Sequence, residues 1–145
     1  MLSRHAILAI AAVVDVALHA RPVPVAARAL AERLNLPPRH LETLLQALVR
    51  ANILKGVRGP RGGYELARER RRISAGDIVR AVMADDDHSV SHGGPRLVRD
   101  VVLPLVSAAA TTFLDALDAI SMDALCRKAS ETAERASTGS NDFTI

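Results

Sequence analysis

From Lys55 to Leu66 the chain reads KGVRGPRGGYEL. Four glycines, one proline and two arginines fall between Gly56 and Tyr64. Gly59, Gly62 and Gly63 open backbone angles that other residues avoid, and Pro60 stiffens the centre. Apolar Ile53-Leu54 precedes the stretch, and Tyr64-Glu65-Leu66 closes it. The pattern predicts a short β-hairpin with a tight, positively charged tip. It lacks the G-K-[ST] ending of a phosphate-binding P-loop.

The residues before the hairpin predict its neighbour. Val25 to Leu34 reads as a second helix, with Val25, Ala29, Leu30 and Leu34 facing inward. Asn35-Leu36-Pro37-Pro38 makes a turn, and a proline at the first helical position opens a third helix, Arg39 to Ala51. Leu41, Leu44, Leu45, Leu48 and Val49 form its apolar stripe. Arg39, His40, Glu42, Thr43, Gln46 and Arg50 remain outside. Two short helices and a tight turn describe a helix-turn-helix, whose outer side chains are of types that contact bases and phosphates. With the hairpin directly behind it, the unit is a winged helix.

The rest of the chain builds around this unit. Arg4 to Ala20 reads as a first helix, capped by Ser3, with Ile7, Ile10, Val14 and Leu18 on one face. The apolar run Ala6 to Leu18 has some look of a signal sequence. Asp15 interrupts it, Leu18 is oversized for a cleavage site, and the run is too short to span a bilayer. Ser74 and Asp77 have capping-box spacing for a helix ending near Ala84. Residues 85–95, DDDHSVSHGGP, form a polar seam. Arg96 to Ile120 then repeats Val98, Val102, Val106, Ala109, Phe113, Leu117 and Ile120 at threes and fours, and Pro104 is expected to kink that helix or set its start. So long a stripe beyond a filled core calls for a partner, most economically the same helix of a second subunit. Ser121 caps a last helix, Met122 to Ala136, and 137–145 reads as a frayed tail. The expected class is mainly α with a small β-wing: a winged helix-turn-helix (1–84), the loop (85–95), and a long C-terminal dimerisation helix with a final helix (96–136).

Composition limits the function classes. The 145 residues carry a net charge of +3. Residues 1–84 alone carry net +8 and residues 85–145 net −5. A basic front half suits a polyanion, and two Phe, one Tyr and no Trp argue against stacking on single-stranded bases. One cysteine, Cys126, builds neither a disulfide framework nor a multi-cysteine metal site, so a reducing cytoplasmic setting is expected. No nucleophile–base–orienter pattern stands out, so an enzyme is not expected.

The motifs resemble the Rrf-two family of bacterial transcription regulators. They are D-V-A in the first helix, H-L-E-x-L-L-x-x-L-x-x-A-x-I-L, V-R-G-P-x-G-G-Y-x-L, I-S-x-G-D-I-V-x-A-V and I-S-M-D-A-L, across residues 1–125. The resemblance implies a winged helix with a crossing dimerisation helix, promoter binding as a homodimer, and repression as the commoner outcome. It places base and groove contacts on Arg39, Glu42, Arg58 and Gly59. Arg61, beside them at the wing tip, is read from its charge and position as a backbone-contacting neighbour. Many members ligate an iron–sulfur cluster through three cysteines in the loop before the dimerisation helix. Here that loop has none, and Ile7 stands where some members add an acidic ligand. No Cys-ligated cluster or other cofactor is expected.

Three weaker candidates remain. His88 and His92, among Asp85, Asp86 and Asp87, have a zinc spacing only if helical, and Gly93-Gly94-Pro95 argues for a solvated acidic loop. The same histidines are candidates for sensing pH. Cys126 is a redox candidate, against the plainer reading of a small buried residue. As a whole, the alternative to a DNA-binding regulator is a winged-helix adaptor for an acidic protein. A regulator gated by a small ligand, a metal or Cys126 is a further alternative.

Overall fold

A computed structural model describes residues 2–86 and 95–139. His88, His92 and most of the 85–95 segment therefore lie outside the described residues. The Ser3 hydroxyl accepts the Ala6 N–H at 3.2 Å and opens α1, Arg4–His19. The buried face of α1 is Ala6, Ala9, Ala12, Val13, Val16 and Ala17. This corrects the expected face: Ile7 is 54% and Leu18 37% exposed, while Ile10 and Val14 only flank the core. The helix is apolar nearly all round, so its periodicity did not single out one stripe. The small residues are the ones that let neighbouring helices approach.

Helix α2 spans Ala27–Leu34 and buries Leu30 and Ala31. Val25 is not helical. Pro22 and Pro24 interrupt the connector before it. Val25 then donates to the Tyr64 carbonyl at 2.9 Å and accepts the Tyr64 N–H at 2.8 Å. Asn35, left-handed at φ 51°, ends α2, and α3 comes next as Pro38–Arg50. Asn52, φ 57°, stops α3, and the Ile53 N–H bonds back to the Leu48 carbonyl at 3.0 Å.

Strands β1, Leu54–Val57, and β2, Gly63–Leu66, pair antiparallel from Leu54↔Leu66 to Val57↔Gly63. A short 3₁₀ turn, Arg70–Arg72, leads to α4, Ala75–Asp86. Ser74 and Asp77 form the expected capping box, each side chain accepting the other's N–H at 3.0 Å.

A π-helical turn, Val98–Val102, precedes α5, Leu103–Asp118. Pro104 brings no N–H, and the Leu103 N–H reaches back five residues to the Val98 carbonyl. The regular helix therefore begins where the proline stands. At its far end the chain turns a hydrogen-bonded corner. Ala75 donates to Ile120 at 2.8 Å, and Met122 donates to Ile73 at 2.7 Å. Ser121 caps α6, Met122–Gly139, by accepting the Ala124 N–H at 3.1 Å. This helix runs three residues beyond the expected Ala136. Its first turns do not stay with α5: Met122 and Cys126 are buried in the core made by α1, α3 and α4.

Candidate nucleic-acid interface

The interface begins with the two faces of α3. Leu41, Leu44, Leu45, Ala47 and Leu48 are buried. Burying a Leu side chain contributes about 1.5–3 kcal/mol, so this stripe fixes which way the helix faces. Arg39, His40, Glu42, Thr43, Gln46 and Arg50 are all exposed. Val49, expected in the stripe, is 38% exposed, and Ala47 takes the inward place. Thr43 donates weakly to the Arg39 carbonyl at 3.5 Å, and Arg50 has an interaction within the protein.

The wing comes after α3, two turn residues and Ile53. Its tip, Arg58 to Gly62, closes where the Gly62 N–H donates to the Gly59 carbonyl at 2.9 Å, with Pro60 next after Gly59. Gly59 has φ +118°, a conformation costly for a residue with a Cβ. Arg58, Gly59 and Arg61 are exposed around this turn. Lys55 and Glu65 pair across the strands at 3.7 Å. A Cβ on Gly63 would collide with the Val25 backbone, so the glycine is what lets β2 lie against the α1–α2 connector. The wing is thereby attached to the helices at its base and exposed at its tip.

Ion pairing sorts the arginines. The Arg33 guanidinium forks onto the Asp15 carboxylate at 2.7 and 2.9 Å, joining α2 to α1. That carboxylate raises the Arg33 pKa further. The Arg80 guanidinium holds Asp118 at 2.6 and 2.8 Å, and Ser74 donates to the same carboxylate at 3.3 Å. Chiefly through the Arg80 bond, the Asp118 carboxyl lies below its ordinary pKa. Among the described residues, Arg39, Arg58 and Arg61 have no ion-pair partner. None of these pairings was evident in the sequence, because Asp15 and Arg33, or Arg80 and Asp118, become neighbours only once helices cross.

No residue of the π-turn or of α5 is buried. Along the expected stripe, Val98, Val102, Val106, Ala109, Phe113 and Ile120 are exposed, and Leu117 is half-buried. Val98–Asp118, 21 residues with an 18-residue window of mean hydropathy 1.5, is also long and apolar enough to cross a membrane by length and composition. Cys126 is 2% exposed, and burial pushes its thiol pKa up despite the charge of Arg70. Such a shift disfavours the thiolate, the reactive form, at neutral pH.

A cluster held by three thiolates does not fit this chain, whose single cysteine is buried on α6. Among the described residues no three His, Cys, Asp or Glu side chains converge as metal ligands.

A helix-turn-helix that buries one face and exposes the other, with an attached, arginine-tipped wing, defines the class: winged helix-turn-helix transcription regulators. Residues 2–128 match the Rrf2 family, described as iron-dependent transcriptional regulators, and the chain belongs to that family. It is 33% identical over 115 residues to the HTH-type transcriptional regulator IscR of Aliivibrio salmonicida, covering 75% of this chain and 68% of that one. Against the Vibrio atlanticus IscR the identity is 38% over 85 residues, 59% of this chain and about half (49%) of that one. Among solved structures, T. potens IscR aligns with TM-score 0.70 and 30% identity, covering 91% of this chain and 90% of that one. CymR of B. subtilis shares the fold at TM-score 0.65 and 24% identity, over 88% of this chain and 97% of that one. The relatives are transcription regulators and not enzymes.

Proposed function

We propose that the protein is a homodimeric, sequence-specific DNA-binding repressor that acts in the cytoplasm on a roughly palindromic operator. In this reading α3 lies in the major groove, with Arg39, His40, Glu42, Thr43, Gln46 and Arg50 toward bases and phosphates. Glu42 suits a cytosine amino group. Arg58 and Gly59 enter the flanking minor groove, and Arg61 meets the backbone. The observation that carries this reading is that Arg39 on the outer face of α3 and Arg58 and Arg61 at the wing tip are exposed and, among the described residues, have no ion-pair partner. They stand on the half of the chain with net charge +8.

The second copy covers the π-turn, α5 and the start of the corner after it through Val98, Val102, Val106, Ala109, Phe113, Leu117 and Ile120. A partner helix accounts for the exposed stripe better than a bilayer does. Arg99 and Asp100 on the π-turn and Asp115 and Asp118 on α5 interrupt the apolar surface, and the α5–α6 corner is hydrogen-bonded to the winged helix. Two-fold symmetry then sets half-sites roughly one turn, about 34–36 Å, apart or a small multiple of it.

Control runs without a Cys-ligated cluster in this reading, since the loop where the resemblance expects three cysteines has none and the chain's one cysteine, Cys126, stands on α6. Protein purified anaerobically is expected to be colourless; a visible absorption band with bound iron would overturn that point. DNA binding is tested with a duplex selected by the protein from a random pool. Arg58→Ala is expected to weaken specific binding by about 1–3 kcal/mol. If no duplex is selected, the basic face serves an acidic protein partner instead.

A further inference from the structure

A cleft of about 460 Å³ opens beside the recognition helix, between the start of α1 and the α2–α3 turn. Its lining includes Leu8, Leu36 and Leu44, together with Arg4, His5 and His40. No carboxylate lines it. The cleft at the other end of α1 differs: there Arg21, Arg68, Arg70 and Arg71 alternate with Glu65, Glu69 and Asp123. Arg4 is exposed, and among the described residues it has no ion-pair partner. His40 belongs both to this cleft and to the exposed face of α3, so the cleft is continuous with the candidate interface.

The geometry points to a backbone-phosphate clamp in this cleft, made by Arg4, His5 and His40, which holds the DNA strand bordering the recognition helix. A guanidinium and two imidazoles supply N–H donors, and the guanidinium a fixed charge, for the phosphate oxygens. The apolar lining suits the adjoining deoxyribose. The clamp reads no base; it sets the register at which α3 enters the groove. The shared chemistry is a phosphate, so a free phosphate is the competing source. This inference rests on the DNA-binding reading and adds Arg4 and His5, which sit outside the helix-turn-helix, to the contact surface.

The test uses the full chain and a duplex it selects from a random pool, in fluorescence anisotropy between 50 and 200 mM salt. Losing one phosphate contact lowers the log–log salt slope by about 0.9, so the wild-type advantage over Arg4→Ala is expected to shrink about 3.5-fold across that range. The loss should be equal on selected and scrambled duplexes, Arg4→Lys should restore most of it, and thermal unfolding should be unchanged. A wild-type slope for Arg4→Ala, while Arg58→Ala still weakens specific binding, overturns the clamp and leaves the DNA reading standing. Failure of the wild type to bind any duplex overturns both. Calorimetric titration with inorganic phosphate, without DNA, is expected to give no saturable heat. Saturable heat that Arg4→Ala abolishes assigns the cleft to a free phosphate and overturns the backbone assignment.

Discussion

At the scale of single residues, two glycines decide whether the wing exists in this form. Gly59 adopts φ +118° at the tip, and Gly63 lies where a Cβ would strike the Val25 backbone. Gly56, on β1, has open space around its Cβ position. Gly63→Ala is therefore expected to destabilise the fold by about 1–3 kcal/mol, since backbone must move to relieve the clash. Gly56→Ala should change stability little, and thermal melts of the two variants check the contrast. The glycine-rich stretch was legible in sequence as a turn. What Gly63 makes room for was not, because Val25 is far earlier in the chain and looked helical. A Val beside an Ala-rich run carries the same apolar signal whether it begins a helix or pairs with a strand. The placement of Cys126 was only half legible: the lone apolar-helix cysteine reads as buried, but its seat in the core and the Arg70 charge beside it come from tertiary packing.

At the scale of elements, the corner between α5 and α6 joins the long helix to the winged helix. Asp118 is its charged part, bound by Arg80 and Ser74. The folded Asp118 pKa is lowered, so its contribution is present above the unfolded carboxyl value, about 3.9, and is lost as pH falls through the folded value. Asp118→Asn is expected to be less stable than wild type by a constant margin from about pH 5 to pH 8, with the two converging below about pH 4. Chemical denaturation at each pH measures it; a margin that persists in acid would show the bond to be unimportant. Helix α5 carries the other test. Phe113, 44% exposed, lies mid-stripe. Phe113→Asp should convert the protein from dimer to monomer in sedimentation while leaving helical content near wild type, because no residue of α5 is buried within its own chain. A wild-type protein that sediments as a monomer would refute the dimer. The helical stripe and the proline were both evident beforehand. The π-turn that absorbs the proline was not, since a missing N–H does not state how the helix will rearrange around it.

At the scale of the whole molecule, the basic half of the chain, residues 1–84, spans α1 to near the end of α4, and the acidic half begins at Asp85 on the last turn of α4 and includes the π-turn, α5 and α6. Pairing within the fold ties up Arg33 and Arg80, and it leaves Arg4, Arg39, Arg58 and Arg61 as cations without ion-pair partners among the described residues. The charge asymmetry was readable as a sum; which arginines remain available was not, because ion pairs are made by crossing helices and not by neighbours in sequence. The same holds for α6. Its composition places it after the long helix, yet Met122 and Cys126 complete the core against α1.

The sequence by itself determined the winged helix-turn-helix and its wing. Their signals are local: periodicity, caps, prolines and glycines act within a few residues of where they stand. It also determined that three thiolates are absent from the loop, since that is a matter of composition. Only the tertiary structure decided which face of α1 is buried, that Val25 anchors the wing, that α6 returns to the core, and which cations are left exposed. Those outcomes depend on which surfaces meet, and a nearly all-apolar helix or an isolated charge carries no record of its distant partner.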